Sequence, residues 1–218
     1  MRVLAVGAHP DDVELGCGAT LARHVLAGDE TFVLVLGAGA LSRDKAQPGD
    51  TLKLRRAAID SAKLLGVRVA ILSYPDQRFD SVDFLLLVKA VESVIEQVQP
   101  ERVYTHHGGD LNLDHRLTHQ AVLTACRPTP GHVVRRVEAF EVPSSTEWSL
   151  ETFRPTSFVD VTGDALQRKL LALACYSTEM REAPHPRSPQ AIRALAHWRG
   201  SMCGVHEAEA FSLVREIR

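Results

Sequence analysis

The sequence predicts an α/β fold, a Rossmann-like doubly wound and mostly parallel sheet with helices on both faces. Two observations carry this expectation. Short Val/Leu/Ile-rich runs alternate with helical stripes through the first half of the chain, the order of a parallel sheet with crossover helices. The runs are also nearly continuous in apolar residues rather than alternating, as strands covered on both faces should be.

The elements follow in order. Residues 2–8 (RVLAVGA) read as the first strand, and Val13, Cys17, Leu21 and Val25 then recur every four residues as a helical stripe. Residues 31–38 (TFVLVLGA) form a second strand, followed by a helix marked by Ala58, Ala62 and Leu65 with Gly66 placed to end it. Residues 67–74 (VRVAILSY), a stripe of Phe84, Val88, Val91 and Ile95, and residues 102–107 (RVYTHH) repeat the pattern. After Leu123 the order loosens. Residues 137–142 and 157–161 read as later strands, 164–176 as a helix, and 38–50 and the Pro-rich 182–190 as loops. No repeat, low-complexity tract or change of composition marks a boundary, so residues 1–218 are expected to form a single domain.

With 45% apolar and 24% charged residues in 218, the composition is that of an ordinary globular chain. A formal charge of -2 and the lack of a dense Lys/Arg block argue against nucleic-acid binding. The four cysteines (Cys17, Cys126, Cys175, Cys203) have no CxxC spacing and read as buried free thiols. No apolar run is long enough to span a membrane and the amino terminus has no signal-like segment, so the expected location is cytoplasmic.

In open α/β sheets, ligands collect beyond the carboxyl ends of the strands. There the chain places His9-Pro10-Asp11-Asp12 after the first strand. After the fourth, fifteen residues, THHGGDLNLDHRLTH, hold four histidines and two aspartates. One aspartate at a strand-to-helix corner is accounted for by capping. A second aspartate and a terminal histidine are not. A catalytic zinc site needs three protein ligands and an open position. His9 and Asp12 can converge on one ion, and His115 can close the triad. Adjacent side chains diverge, which leaves Asp11 free to act as general base.

At this point the residues resemble a family. AHPDD followed by ELGCGAT, with a later NLDHR, is similar to the LmbE-like (PIG-L) zinc-dependent de-N-acetylases, of the N-acetylglucosaminyl deacetylase kind. The carboxyl-terminal run PHPRSPQAIRALAHWRGSMCGVHEAEAF also follows that pattern, at Arg199, Gly200, Glu209 and Phe211. The resemblance implies a Rossmann-like fold and removal of an N-acetyl group from an amino-sugar derivative. It also implies Zn2+ (or another divalent transition metal) on His9, Asp12 and His115, with Asp11 as base. The partner would be a small-molecule N-acetylated sugar conjugate, with homo-oligomerisation left open.

One position departs from the pattern. Many relatives read HPDH at the second motif, and the first histidine there is held to stabilise the oxyanion; this chain has Asn112. Asparagine donates only a neutral hydrogen bond, so the donor is Asn112, a histidine such as His107 or His206, or the metal alone. Arg55 and Arg56 read as a solvated helix face. Arg187 and Arg199 stand open between substrate contacts and structural ion pairs, and Glu209 with Phe211 reads as packing. Rival readings are a zinc amidase for another amide, such as a thiol-sugar conjugate, a non-catalytic sugar-binding relative, and a dinucleotide-binding oxidoreductase. The last is poor, because GAHPDD replaces the G-x-G-x-x-G turn and its aspartates would repel a pyrophosphate.

Overall fold

The computed structural model describes residues 1–39, 47 and 49–218. The elements run β1 (Arg2–Gly7), α1 (Asp12–Leu26), β2 (Glu30–Gly37), α2 (Asp50–Leu65), β3 (Arg68–Tyr74), α3 (Phe84–Val98), β4 (Arg102–His106), α4 (Leu113–Ala125), β5 (Arg136–Phe140), β6 (Ser157–Asp160), α5 (Asp164–Ala174), α6 (Pro189–Cys203) and β7 (Ala208–Glu216). They build one seven-stranded sheet in the order β3-β2-β1-β4-β5-β7-β6. The first five strands in that order pair in parallel, while β7 is antiparallel to both β5 and β6.

Both faces of β1 are buried, as its unbroken apolar run requires. Leu4, Val6 and Ala8 join α3 and α4 through Leu87, Val88, Val91 and Val122. Val3 and Ala5 face the other way, onto Val13, Cys17 and Leu21 of α1 and Ile192 of α6. β1 and β4 are neighbours in register Leu4↔Val103 and Ala5↔Tyr104, so their carboxyl ends lie side by side. That adjacency creates the site.

The sequence-based expectations differ from the fold in several places. β3 is an edge strand and only half-buried, not doubly covered. Phe84 is exposed, and the buried stripe of α3 starts at Leu87. Cys17 and Cys126 are buried thiols, whereas Cys175 is half-buried and Cys203 exposed. The loop expected over 38–50 lies largely outside the described residues, and that over 182–190 ends earlier, where α6 begins at Pro189. α6 and β7 had no expected counterpart, although Ser188 caps Ala191 N–H with Pro189 in the first turn, a readable helix start.

Helix α1 is kinked at Cys17 (φ -143°, ψ 18°). The freed backbone groups are satisfied by a buried ion pair from two other elements. Glu209 of β7 accepts from Ala19 N at 3.1 Å and Thr20 N at 2.6 Å. Lys169 of α5 donates to Leu15 O at 2.7 Å and to Glu209 Oε1 at 2.6 Å. The packing role read for Glu209 is thus a polar one.

Candidate metal centre and active site

The corner between β1 and α1 and the turn between β4 and α4 open onto one cleft of about 190 Å³. His9, Asp11, Asp12, Asp76, Asn112, His115, Ser144, Glu179 and Arg187 are among its walls. The amino termini of both helices meet here, and their partial positive charge favours the carboxylates gathered around them. Neither aspartate of the corner is a helix cap. Asp11 sits at the N-cap position without a side-chain cap bond, and Asp12 Oδ2 accepts from His9 N at 2.7 Å. The capping account of HPDD therefore fails on both residues.

His9, Asp12 and His115 are brought together as metal-ligand chemistry requires. His9 Nδ1 and His115 Nε2 each lie 3.3 Å from Asp12 Oδ2. Zinc bonds of about 2.0–2.1 Å in a tetrahedron give donor separations of about 3.3–3.4 Å. The residues present fit the ion. The opposite nitrogen of each histidine faces a second carboxylate: His9 Nε2 is 3.0 Å from Asp114 Oδ2, and His115 Nδ1 is 3.1 Å from Asp110 Oδ1. The Asp114 hydrogen bond to His9 Nε2 favours the tautomer that leaves Nδ1 free to face Asp12 and His115, while Asp110 stands behind His115 at ion-pair distance. Asp114 is fixed in turn by Phe79 N at 3.0 Å, and Asp110 by the hydroxyls of Ser145 and Thr146. A second grouping, His9 with Asp76 and Asp114, uses the same outer His9 nitrogen.

The charges respond to this crowding. Burial disfavours a charged His9, but hydrogen bonds to Asp114 and Asp12 outweigh it and raise its pKa to about 10. Burial likewise opposes a charged His115, and Asp12 and Asp110 more than offset it. Asp12 is pulled well below the carboxylate range, its burial overcome by His115 and His106. Asp11 goes the other way: burial pushes it up to about 8, against the pull of Arg187.

Asn112 lines the cleft as the N-cap of α4. Its Oδ1 accepts from Asp114 N at 2.9 Å, which leaves the Nδ2 amide as the side chain's donor. His107 and His206 do not line the cleft. The His107 ring packs edge-on to Phe153 at 5.3 Å, and His206 is exposed with its carbonyl accepting from His197. Arg55 and Arg56 are exposed, bonded to Ile71 O and Asp60. Arg199 is a structural ion pair, held at Nε and Nη2 by the two oxygens of Glu141, each at 2.7 Å. Arg187 is different, because it reaches Asp11.

Sequence reasoning assigned no role to His106, Asp110, Asp76, Ser144 or Glu179. His106 is fully buried, stacks on His115 at 4.0 Å and accepts from Ala8 N at 2.9 Å, holding the HPDD corner against β4. Its place in the histidine-rich run was a signal. Asp110 lies in the same run, whereas Asp76, Ser144 and Glu179 lie on segments with no motif of their own.

The family model described as PIG-L, GlcNAc-PI de-N-acetylase, matches residues 4–126. An Escherichia coli K12 protein named uncharacterized deacetylase YaiS is 33% identical over 177 residues, 78% of this chain and 88% of that one. The solved N,N'-diacetylchitobiose deacetylase of Pyrococcus horikoshii superposes with a TM-score of 0.80 at 21% identity, over 98% of this chain and 84% of that one. GalB, the 4-carboxy-2-hydroxymuconate hydratase of Pseudomonas putida KT2440, superposes with 0.78 at 23% identity, covering 100% and 97%. A hydratase on the same fold shows that the scaffold alone does not choose the reaction. Fold, site and sequence relatives together define a hydrolase of the deacetylase class. The chain belongs to the PIG-L family.

Proposed function

We propose that this protein removes the N-acetyl group from an N-acetylated amino-sugar conjugate, giving acetate and a free amine, with zinc on His9, Asp12 and His115. The observation that carries the reading is the spacing of those donors, each histidine backed by its own carboxylate, beside a second aspartate that is neither ligand nor cap. The family match and the relatives named as deacetylases support it. Bound zinc supplies Lewis acidity to the attacking water and the acetyl carbonyl.

The chain's own residues do the rest. Asp11 takes a proton from the water as its oxygen bonds to the acetyl carbon. Asn112 donates its Nδ2 amide to the oxygen that gains charge. As the C–N bond breaks, protonated Asp11 returns its proton to the leaving nitrogen, so one water is consumed per acetate and amine released. His115 and His9 stay oriented by Asp110 and Asp114 throughout.

The test is acetate release by zinc-loaded protein from N-acetylglucosamine, N,N'-diacetylchitobiose, a nucleotide-linked N-acetylglucosamine and a lipid-linked one. Release from at least one, abolished in His115→Ala together with bound zinc, is expected. No acetate from any, with the amide of a thiol-sugar conjugate cleaved instead, would replace the reading by its amidase rival.

A further inference from the structure

We infer that Arg187 is the positioning residue of the Asp11 base: it holds that carboxylate in its working direction and is not a substrate anchor. The inference rests on reading Asp11 as the base.

Asp11 has φ 95°, the left-handed region, uncommon for a residue with a side chain although aspartate tolerates it better than most. Aspartate at an N-cap ordinarily turns back onto the helix N–H groups. Here it makes no such bond, and its Oδ2 instead receives Arg187 Nη1 at 2.7 Å. The same guanidinium donates from Nε to Ser144 Oγ at 2.6 Å, and Ser144 is also left-handed, at φ 73°. One cation therefore ties together two strained residues from segments far apart in sequence.

Arg187 is itself anchored. Its backbone N–H donates to His185 Nδ1 at 3.1 Å, and the next residue, Ser188, is the buried cap of α6. The guanidinium thus projects from a fixed helix start, with two of its three nitrogens committed to protein. Arginine clamps best through paired N–H groups, and these bonds take the Nε–H and one Nη1–H away from any such pair. Without Arg187, Asp11 would keep its left-handed backbone and lose the hydrogen-bond partner that, among the described residues, sets its side-chain direction. A small displacement of a reacting group lowers turnover steeply while leaving substrate binding alone. Arg187 lies outside the 4–126 stretch matched by the family model.

The experiment compares Arg187→Ala, Arg187→Lys and Ser144→Ala with wild type, using N,N'-diacetylchitobiose as probe. Arg187→Ala should keep wild-type zinc per chain, lower kcat by about 10–100-fold, hold KM within about twofold, and recover in part with guanidinium ion at non-denaturing concentration. Arg187→Lys, which cannot reach both partners, and Ser144→Ala should each fall between Arg187→Ala and wild type. They also report if Arg187→Ala does not fold. A raised KM at unchanged kcat would make Arg187 a substrate contact, and lost zinc would make it part of the metal site; either overturns the inference. A second readout needs no substrate. The melting temperatures of Arg187→Ala, Asp11→Asn and the double variant should be non-additive, with or without zinc, and additivity overturns the tie. If wild type releases no acetate, the proposed function fails while this cycle still reports on the pair.

Discussion

Adjacent aspartates in one corner point to different partners. Asp12 Oδ2 faces His9 and His115 at 3.3 Å, while Asp11 Oδ2 turns away to Arg187 at 2.7 Å. Asp11→Asn should keep zinc and lose about 10²–10⁴ in turnover, the usual reach of general acid–base catalysis. Asp12→Asn should lose zinc and turnover together. Metal analysis beside acetate-release kinetics separates the two, and an exchange of behaviours would reverse the assignment. Asn112 has two jobs, since its Oδ1 caps α4 and its Nδ2 is the proposed oxyanion donor. Asn112→Ala removes both, whereas Asn112→Asp keeps a capping oxygen and replaces the donor amide with a carboxylate. If donation is what matters, both should lower turnover by about 10²–10³ with zinc content intact. An Asn112→Asp enzyme of wild-type activity would sink that role.

At the scale of elements, the kinked α1 carries the Asp11-Asp12 end of the site, and its integrity depends on chains remote from it. Lys169→Met leaves Glu209 as a buried carboxylate without its cation, and breaking such a pair costs about 3–5 kcal/mol. Denaturant titration should show this loss, and replacing both partners with apolar residues should cost less than the single change. Gly16 in the same helix packs flat on Phe140 of β5, where an added Cβ would land on the ring. Gly16→Ala should therefore destabilise by about 1–3 kcal/mol, the common cost of overpacking. These contacts explain what the sequence did and did not disclose about elements. The first strands were legible because buried β1 and β2 are nearly continuous apolar runs. β7 was not, because it runs antiparallel between β5 and β6 with its later residues exposed, so its pattern is mixed.

For the whole molecule, anything that binds the folded state alone stabilises it. Zinc at about 100 times its dissociation constant should raise stability by about 2.7 kcal/mol, a melting shift that chelator reverses and that His115→Ala abolishes. Acid should act far from the site. His24, half-buried between Asp29 and Tyr104, has its pKa lowered from 6.5, chiefly by burial and despite the bond to Asp29. The unfolded chain then takes up the proton first. The stability this residue contributes is present above pH 6.5 and is lost as pH falls through that value towards the lower folded pKa. Melting temperatures between about pH 7.5 and 5.5 should drop less steeply in His24→Gln than in wild type. Equal slopes would refute the assignment.

The motifs HPDD and NLDHR could be read without coordinates because metal chemistry restricts ligand types and local spacing, and because alternating strands and helices bring strand ends one and four together. The sequence by itself therefore determined the α/β class, the parallel half of the sheet and the candidate ligands His9, Asp12 and His115. Only the tertiary structure decided which nitrogen of each histidine faces inward, through Asp114 and Asp110, and that His107 lies against Phe153 rather than in the cleft. It alone brought Arg187 to Asp11, 176 residues away. Local patterns report which residues share a face or a turn. The meeting of side chains from separate segments is set by packing in three dimensions, for which a single chain read in order carries no local signal.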